Sequence, residues 1–202
     1  MDVRAQILQE ATRLFAAQGF DGTSVQAVAE AVGIRKPSLL YHFPSKEALR
    51  QSVLDHMLGH WNEVLPSLLL AAAREDTFDS VMESLIGFFL EDPDRARLMV
   101  REILDRPDDM RERLERYVRP WVQVVAEQIG RAREKGLVHA DVDPDAYAVH
   151  VVNLVVGSIA VLDTLKVVLP PEETGDARRR HVKELIRIAR SSLYRAGRGQ
   201  KD

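Results

Sequence analysis

Between Thr23 and Phe43 the chain carries two helical segments of fewer than ten residues, separated by Val32-Gly33-Ile34-Arg35. Helices that short do not hold in water alone, because nucleation costs more than a few hydrogen bonds return. They must pack on a neighbour. The preceding segment supplies one: Val3, Ile7, Ala11, Leu14 and Phe15 recur at three- and four-residue spacing until Gly19 stops the pattern. Thr23 reads as the N-cap of the second helix, with Gln26 closing a capping box. Val25, Val28, Ala29 and Val32 form its inward face, and Gly33 ends it. Lys36-Pro37 opens the third helix, with proline in the tolerated first turn, and Leu39 and Phe43 share its buried side. Helix, short glycine turn, helix is the helix-turn-helix arrangement, whose second helix enters the major groove of DNA. The helical angles turn Ser38, Tyr41 and His42 outward, beside Lys36 and Pro37. That face can contact phosphates or base edges. A plain three-helix bundle with a polar outer face fits the same pattern.

Helical periodicity continues to the far end, and strand alternation is scarce. After Pro44-Ser45 a long helix is expected over about 46–75, broken or kinked near Pro66. Further helices are expected over about 77–91, 94–105, 108–135, 144–168 and 177–196, the penultimate one capped by Asp143-Pro144. The expectation is an all-α chain of about nine helices. A helix-turn-helix unit over 1–45 would precede a larger helical body over 46–202, for ligand binding and dimerisation. The long fourth helix would act as a lever between them, with Gly59 and Pro66 as hinge points.

Net charge at first argues against nucleic acid, since 28 Lys+Arg face 31 Asp+Glu for a total of −3. The distribution reverses that. Ala31 to Arg50 holds Arg35, Lys36, Lys46 and Arg50 against Glu47 alone, a local +3. A basic reading edge on an acidic body is what a selective DNA binder needs. Cysteine is absent, which removes disulfides, thiolate metal sites and cysteine nucleophiles. The longest uncharged run, Ala146 to Leu162, falls short of the ~20 apolar residues of a membrane span and reads as a core helix. A cytoplasmic location and no membrane partner are expected.

Gly22-Thr23-Ser24-Val25, Val28-Ala29, Val32-Gly33-Ile34 and the run Lys36-Pro37-Ser38-Leu39-Leu40-Tyr41-His42-Phe43-Pro44-Ser45-Lys46-Glu47 resemble the tetracycline-repressor (TetR-like) family of bacterial transcription regulators. The close likeness covers about the first 50 residues; beyond them only length and helical layout agree. The resemblance implies that Thr23, Tyr41, His42 and Lys46 meet the phosphate backbone, with Ser24 beside them. It places Gln26, Lys36, Pro37 and Ser38 nearest the bases. Leu40 stands where the family often has tyrosine. It cannot donate a hydrogen bond there, and could touch a thymine methyl or simply pack.

The penultimate helix is apolar almost all round, so it needs cover on every side. A second copy would supply it through a four-helix bundle, with Val152, Val155, Ile159 and Leu162 meeting Leu185, Ile186, Ala189 and Leu193 of the last helix. A purely intramolecular core is the other reading. Met57, Trp61, Phe88, Met99, Ile103, Tyr117, Trp121 and Val125 are large side chains expected to face inward, as lining of an apolar ligand cavity or as plain core. His56 and His60 have the i, i+4 spacing of two zinc ligands but no third ligand by spacing, so no metal and no cofactor are expected. Asp141, Asp143 and Asp145 begin like a calcium loop, which Ala146 and Val152 then spoil; helix capping explains them better. Arg178-Arg179-Arg180 reads as a solvated face. No catalytic motif is present. The expected function is a ligand-responsive regulator, a repressor, whose partners are a palindromic duplex, a small-molecule effector and a second copy. The alternative is an all-α small-molecule-binding protein without DNA-binding activity.

Overall fold

The computed structural model describes residues 2–71, 77–168 and 177–195, without the side chains of 61, 62, 64–71, 77, 166 and 177. Helix α1 (Val3–Gly22) is followed by α2 (Val25–Val32) and α3 (Lys36–His42), then by the long α4 (Lys46–Ala71). The body continues with α5 (Thr77–Glu91), α6 (Pro93–Asp105), α7 (Pro107–Arg113), α8 (Arg119–Glu134), α9 (Pro144–Leu165) and α10 (Ala177–Leu193). Among the described residues there is no strand, only an isolated antiparallel bridge between Val138 and Tyr194.

Local chemistry sets the boundaries. Gly19 adopts φ 75°, ψ 170°, which breaks α1 before a last turn carries it to Gly22. Gly33 is left-handed at φ 79° and caps α2; its N–H donates to the Ala29 and Glu30 carbonyls, and the Ile34 N–H donates to Ala29. Ser45 Oγ accepts from the Ala48 N–H at the start of α4. Asp92 and Asp143 cap α6 and α9 ahead of Pro93 and Pro144, so the Asp141–Asp145 stretch does serve as a helix cap.

Three elements differ from the sequence expectations. Ser24, not Thr23, caps α2, its Oγ accepting from the Ala27 N–H at 3.0 Å, and Gln26 donates to Glu30 instead of closing a capping box. Helix α4 runs through Gly59 and Pro66 as one helix; the expected extension over 72–75 lies outside the described residues. The single helix expected over 108–135 is interrupted by a π-helical turn, Leu114–Val118, in which the Arg119 N–H donates to the Leu114 carbonyl. Pro120 accounts for it: proline has no N–H for the carbonyl four residues back, and its ring crowds that carbonyl. Taking α7, the π turn and α8 as one rod, the described residues form nine helical units.

Head and body share one core. Ile7, Phe15, Leu39, Leu49 and Leu54 belong to the same buried apolar cluster as Ile86, Phe89, Leu98, Val155 and Leu185. Helix α6 packs against α1 on one side and α9 on the other, and a Cβ on Gly19 would sit 3.0 Å from the Arg101 guanidinium. Beside this contact lies a buried ion cluster. Arg50, 1% exposed, donates from Nε to Glu102 at 2.8 Å, with a second bond from Nη2 to the same oxygen, and from Nη1 to Glu47 at 2.7 Å and Asp109 at 2.9 Å. Burial opposes its charge, but the hydrogen bonds to Glu102 and Asp109 more than offset this and hold the guanidinium above the usual arginine range. The same contact with Arg50 holds the Asp109 carboxyl below its usual range.

Candidate nucleic-acid interface

Helix α3 is fixed from beneath. Leu39 is fully buried and Phe43 nearly so, and Arg4 lies over the Phe43 ring at 5.1 Å from its centroid. With those anchors set, Lys36, Pro37, Ser38 and Tyr41 all face solvent, Tyr41 being 87% exposed. His42 is half-buried, and its ring meets the Tyr41 ring edge-on at 5.6 Å. Ser24 and Gln26 on the α2 side are also exposed. The face therefore presents an ammonium, hydroxyls, a phenol, an imidazole and an amide on one short helix and its neighbour.

Two residues depart from their expected roles. Thr23 is 2% exposed, and its hydroxyl donates to the Gly19 carbonyl at 2.8 Å and approaches the Leu14 carbonyl at 3.2 Å. It closes the kink in α1 and turns away from the outer face. The Lys46 ammonium sits 4.1 Å from the centroid of the Phe20 ring, which the Arg106 guanidinium also covers at 4.4 Å. A phosphate would have to draw Lys46 from that seat. Leu40 is half-buried, so it straddles packing and readout. Arg4 and Arg35 are exposed beside α3 and were not among the expected contacts; Arg4 is signalled only by lying one turn before Ile7 on α1.

Two cavities lie among the described residues, and several of the large inward residues divide between them. Met99, Ile103 and Trp121 line an apolar cavity of about 670 Å³ bounded by α4, α5, α6, α7, the π turn, α8 and α9. Met57 and Phe88 instead line a polar cleft of about 630 Å³ between α1, α4 and the α5–α6 corner, together with His56 and His60. The His60 ring stacks on Phe88 at 4.7 Å. Tyr117 packs on the main core, Val125 on a satellite cluster around Ile129, Val138 and Leu193, and the Trp61 side chain lies outside the described residues. Sequence reasoning missed Leu85, Phe89 and Val156 as cavity lining; nothing in periodicity separates a lining residue from a filled core position.

Five of the residues expected at a dimer seam are spent within the chain. Val155, Ile159, Leu185, Ala189 and Leu193 are each no more than 3% exposed, which leaves them no surface for a partner. Val152, Leu162 and Ile186 are half-buried, and Val152 lines the apolar cavity. Helix α9 is long and apolar enough, by length and composition, to cross a membrane, contrary to the reading of its uncharged run. Its contacts with α5, α6, α8 and α10 are those of a core helix. Even so, only 28% of its most apolar stretch is buried, and Val161 and Leu165, with Ile188 of α10, remain exposed.

A family model for bacterial regulatory proteins of the tetR family matches residues 7–53, and one for a tetracyclin repressor-like C-terminal domain matches residues 97–177. The chain belongs to the tetracycline-repressor family. The first match ends in α4 and covers the whole α2–α3 face; the second spans α6 to the start of α10 and includes the π turn. Among related family members, the HTH-type transcriptional regulator RutR of Escherichia coli strain K12 is 46% identical over 70 residues, 35% of this chain and 31% of RutR. That match spans about a third of the relative's length. The negative transcriptional regulator IcaR of the biofilm operon icaADBC in Staphylococcus aureus strain Newman is 22% identical over 129 residues, 64% of this chain and 68% of IcaR. The ketosteroid transcriptional regulator KstR2 of Mycobacterium tuberculosis shares the fold, with a TM-score of 0.75 at 16% identity over 96% of both chains.

Proposed function

We propose that this family member is a cytoplasmic, ligand-responsive transcription repressor that binds a palindromic operator as a dimer and is released by a small-molecule effector. The observation that carries the DNA-binding half is the outer face of α3, where Lys36, Pro37, Ser38 and Tyr41 stand exposed above a buried Leu39–Phe43 base. Gln26, Lys36, Pro37 and Ser38 approach the bases; Ser24, Tyr41, His42 and Lys46 position the backbone. The head is residues 1–45 and the body 46–202. Family membership and the regulators RutR and IcaR among its relatives support the reading.

A second copy covers the exposed apolar residues Val161, Leu165 and Ile188 of α9 and α10, in place of the buried residues first expected there. Two recognition helices then read successive major grooves ~34–36 Å apart. An effector that favours another spacing releases the protein by its differential affinity for that state.

The deciding experiment is a gel shift with duplex DNA from upstream of the protein's own gene, repeated across salt concentrations. Binding should fall steeply as salt rises. Lys46→Ala and Tyr41→Ala should each weaken binding on every duplex, with Lys46→Ala lowering the salt slope by about one. No shift at low salt on any genomic duplex would leave only a small-molecule-binding protein. A stable monomer at micromolar concentration in the ultracentrifuge would refute the dimer.

A further inference from the structure

The apolar cavity divides sharply into floor and rim. Leu58, Leu85, Phe89, Met99 and Val156 form the floor, and all five are buried. Among the described residues, the charged side chains that reach the cavity, Arg111, Glu115 and Arg119, are all exposed at the rim. Each is already matched: Arg111 donates to Asp108 at 2.7 Å, and Arg119 pairs with Glu115 one turn away. The amide of Asn153 is likewise exposed at the rim. Among the described residues, no charged side chain lines the floor.

We propose that the occupant of this cavity is an uncharged, hydrocarbon-rich small molecule, selected by the floor against ionised molecules of the same shape. The inference rests on the effector half of the proposed function and gives that effector a chemical class. An ion brought from water onto such a floor loses its hydration and meets no counter-charge, which is costly. A ligand charge left at the rim gains little, because exposed ion pairs are weak and the rim charges are already paired. Apolar contact on the floor is thus the main source of affinity, and a volume of about 670 Å³ suits a molecule of drug size.

Gly157 offers a way to close the site without touching its floor. It lies on α9 at the cavity edge, and a Cβ there would meet nothing within 4 Å. Leucine at this helical position adds helix propensity and projects into open space.

The test uses the full chain with Trp61→Phe, which leaves Trp121 at the cavity as the sole tryptophan. Its emission is titrated at pH 7 with 1-adamantanol, 1-adamantanecarboxylate and 1-adamantylammonium, one hydrocarbon cage carrying zero, negative or positive charge. The alcohol should shift the emission, and both ions should bind at least tenfold more weakly. Gly157→Leu should abolish the response to the alcohol while keeping the far-ultraviolet circular dichroism. Melting-temperature shifts of the unmodified protein with the three cages should give the same ranking, independent of Trp61→Phe. An ion binding as tightly as the alcohol overturns the charge selection and leaves the effector reading standing. An undiminished response in folded Gly157→Leu overturns the location. No response to any cage, by emission or melting, overturns this cavity as a small-molecule site, and with it the effector half of the proposed function; the gel shift decides the DNA-binding half separately.

Discussion

Replacing Glu102 tests whether the charges that join α4 to α6 and α7 are held as a unit. Glu102 is 2% exposed and accepts two hydrogen bonds from Arg50, itself 1% exposed. In Glu102→Leu the guanidinium keeps only Glu47 and Asp109, both on Nη1 and both partly open to solvent, while Nε and Nη2 lose their acceptor. Breaking a buried pair from one side costs about 3–5 kcal/mol, because the surviving charge stays buried and unmatched. Glu102→Gln keeps the shape and one acceptor oxygen and should cost about 2 kcal/mol, the worth of a hydrogen bond to a charged group. Arg50→Met leaves the Glu102 carboxylate buried instead and should fall in the larger range. In the double variant Arg50→Met/Glu102→Leu neither charge remains, so the loss should be smaller than in either large single change. Urea unfolding followed by circular dichroism at fixed protomer concentration measures all four proteins. A coupling energy of about 2 kcal/mol or more is expected from the cycle. Single changes that each cost under about 1 kcal/mol, or a double variant equal to the sum of its parts, would refute the argument.

Gly33→Ala places a Cβ at φ 79° with no steric neighbour, so only backbone strain is felt; about 1 kcal/mol is expected, or roughly 2–4 °C in melting temperature. An unchanged melting temperature would contradict the left-handed cap. Pro120→Ala restores a donor for the carbonyl four residues back and should let the π turn relax to α-helix, raising the melting temperature. Leu114 and Val118 line the cavity from that turn, so adamantanol binding should weaken in the same variant; tighter or unchanged binding would detach the π turn from cavity shape. Burial lowers the His181 pKa below its usual value. The folded state then binds fewer protons than the unfolded one, so the stability from this group is complete above the ordinary histidine pKa and is lost as pH falls through and below it. His181→Phe should flatten the fall in urea midpoint between pH 7 and pH 5, and an equal slope in both proteins would place the loss elsewhere.

The reading head was largely legible because its constraints are local. Gly33, Leu39 and Phe43 each have one conformation or one face compatible with a short helix pair. Thr23 and Ser24 were harder, since either hydroxyl can cap a helix. The kink at Gly19 brings two carbonyls within reach of Thr23, and that is a tertiary fact. Pro120 carried a readable signal that strong periodicity over 108–135 outweighed. The seam failed for another reason: a helix apolar on every side does not reveal which side faces its own chain. Val155 and Ile159 are buried in the chain's own core, whereas Val161 and Leu165 are left out. Cavity lining is illegible for a similar reason, because a missing neighbour leaves no mark in a pattern of present ones.

The contact between α1 and α6 has a consequence for how such chains can be recombined. The arginine of α6 rests against a residue that has no side chain. A larger residue at position 19 would touch the tip of the Arg101 side chain, which can move aside, and would be strained by a backbone at φ 75° that glycine adopts freely. Exchanging heads between family members to rewire which operator answers which effector should therefore keep glycine at position 19, for its backbone more than for Arg101. The unit of exchange is the helix pair α2–α3, whose outer face can be rewritten while α1 stays with the body it was fitted to.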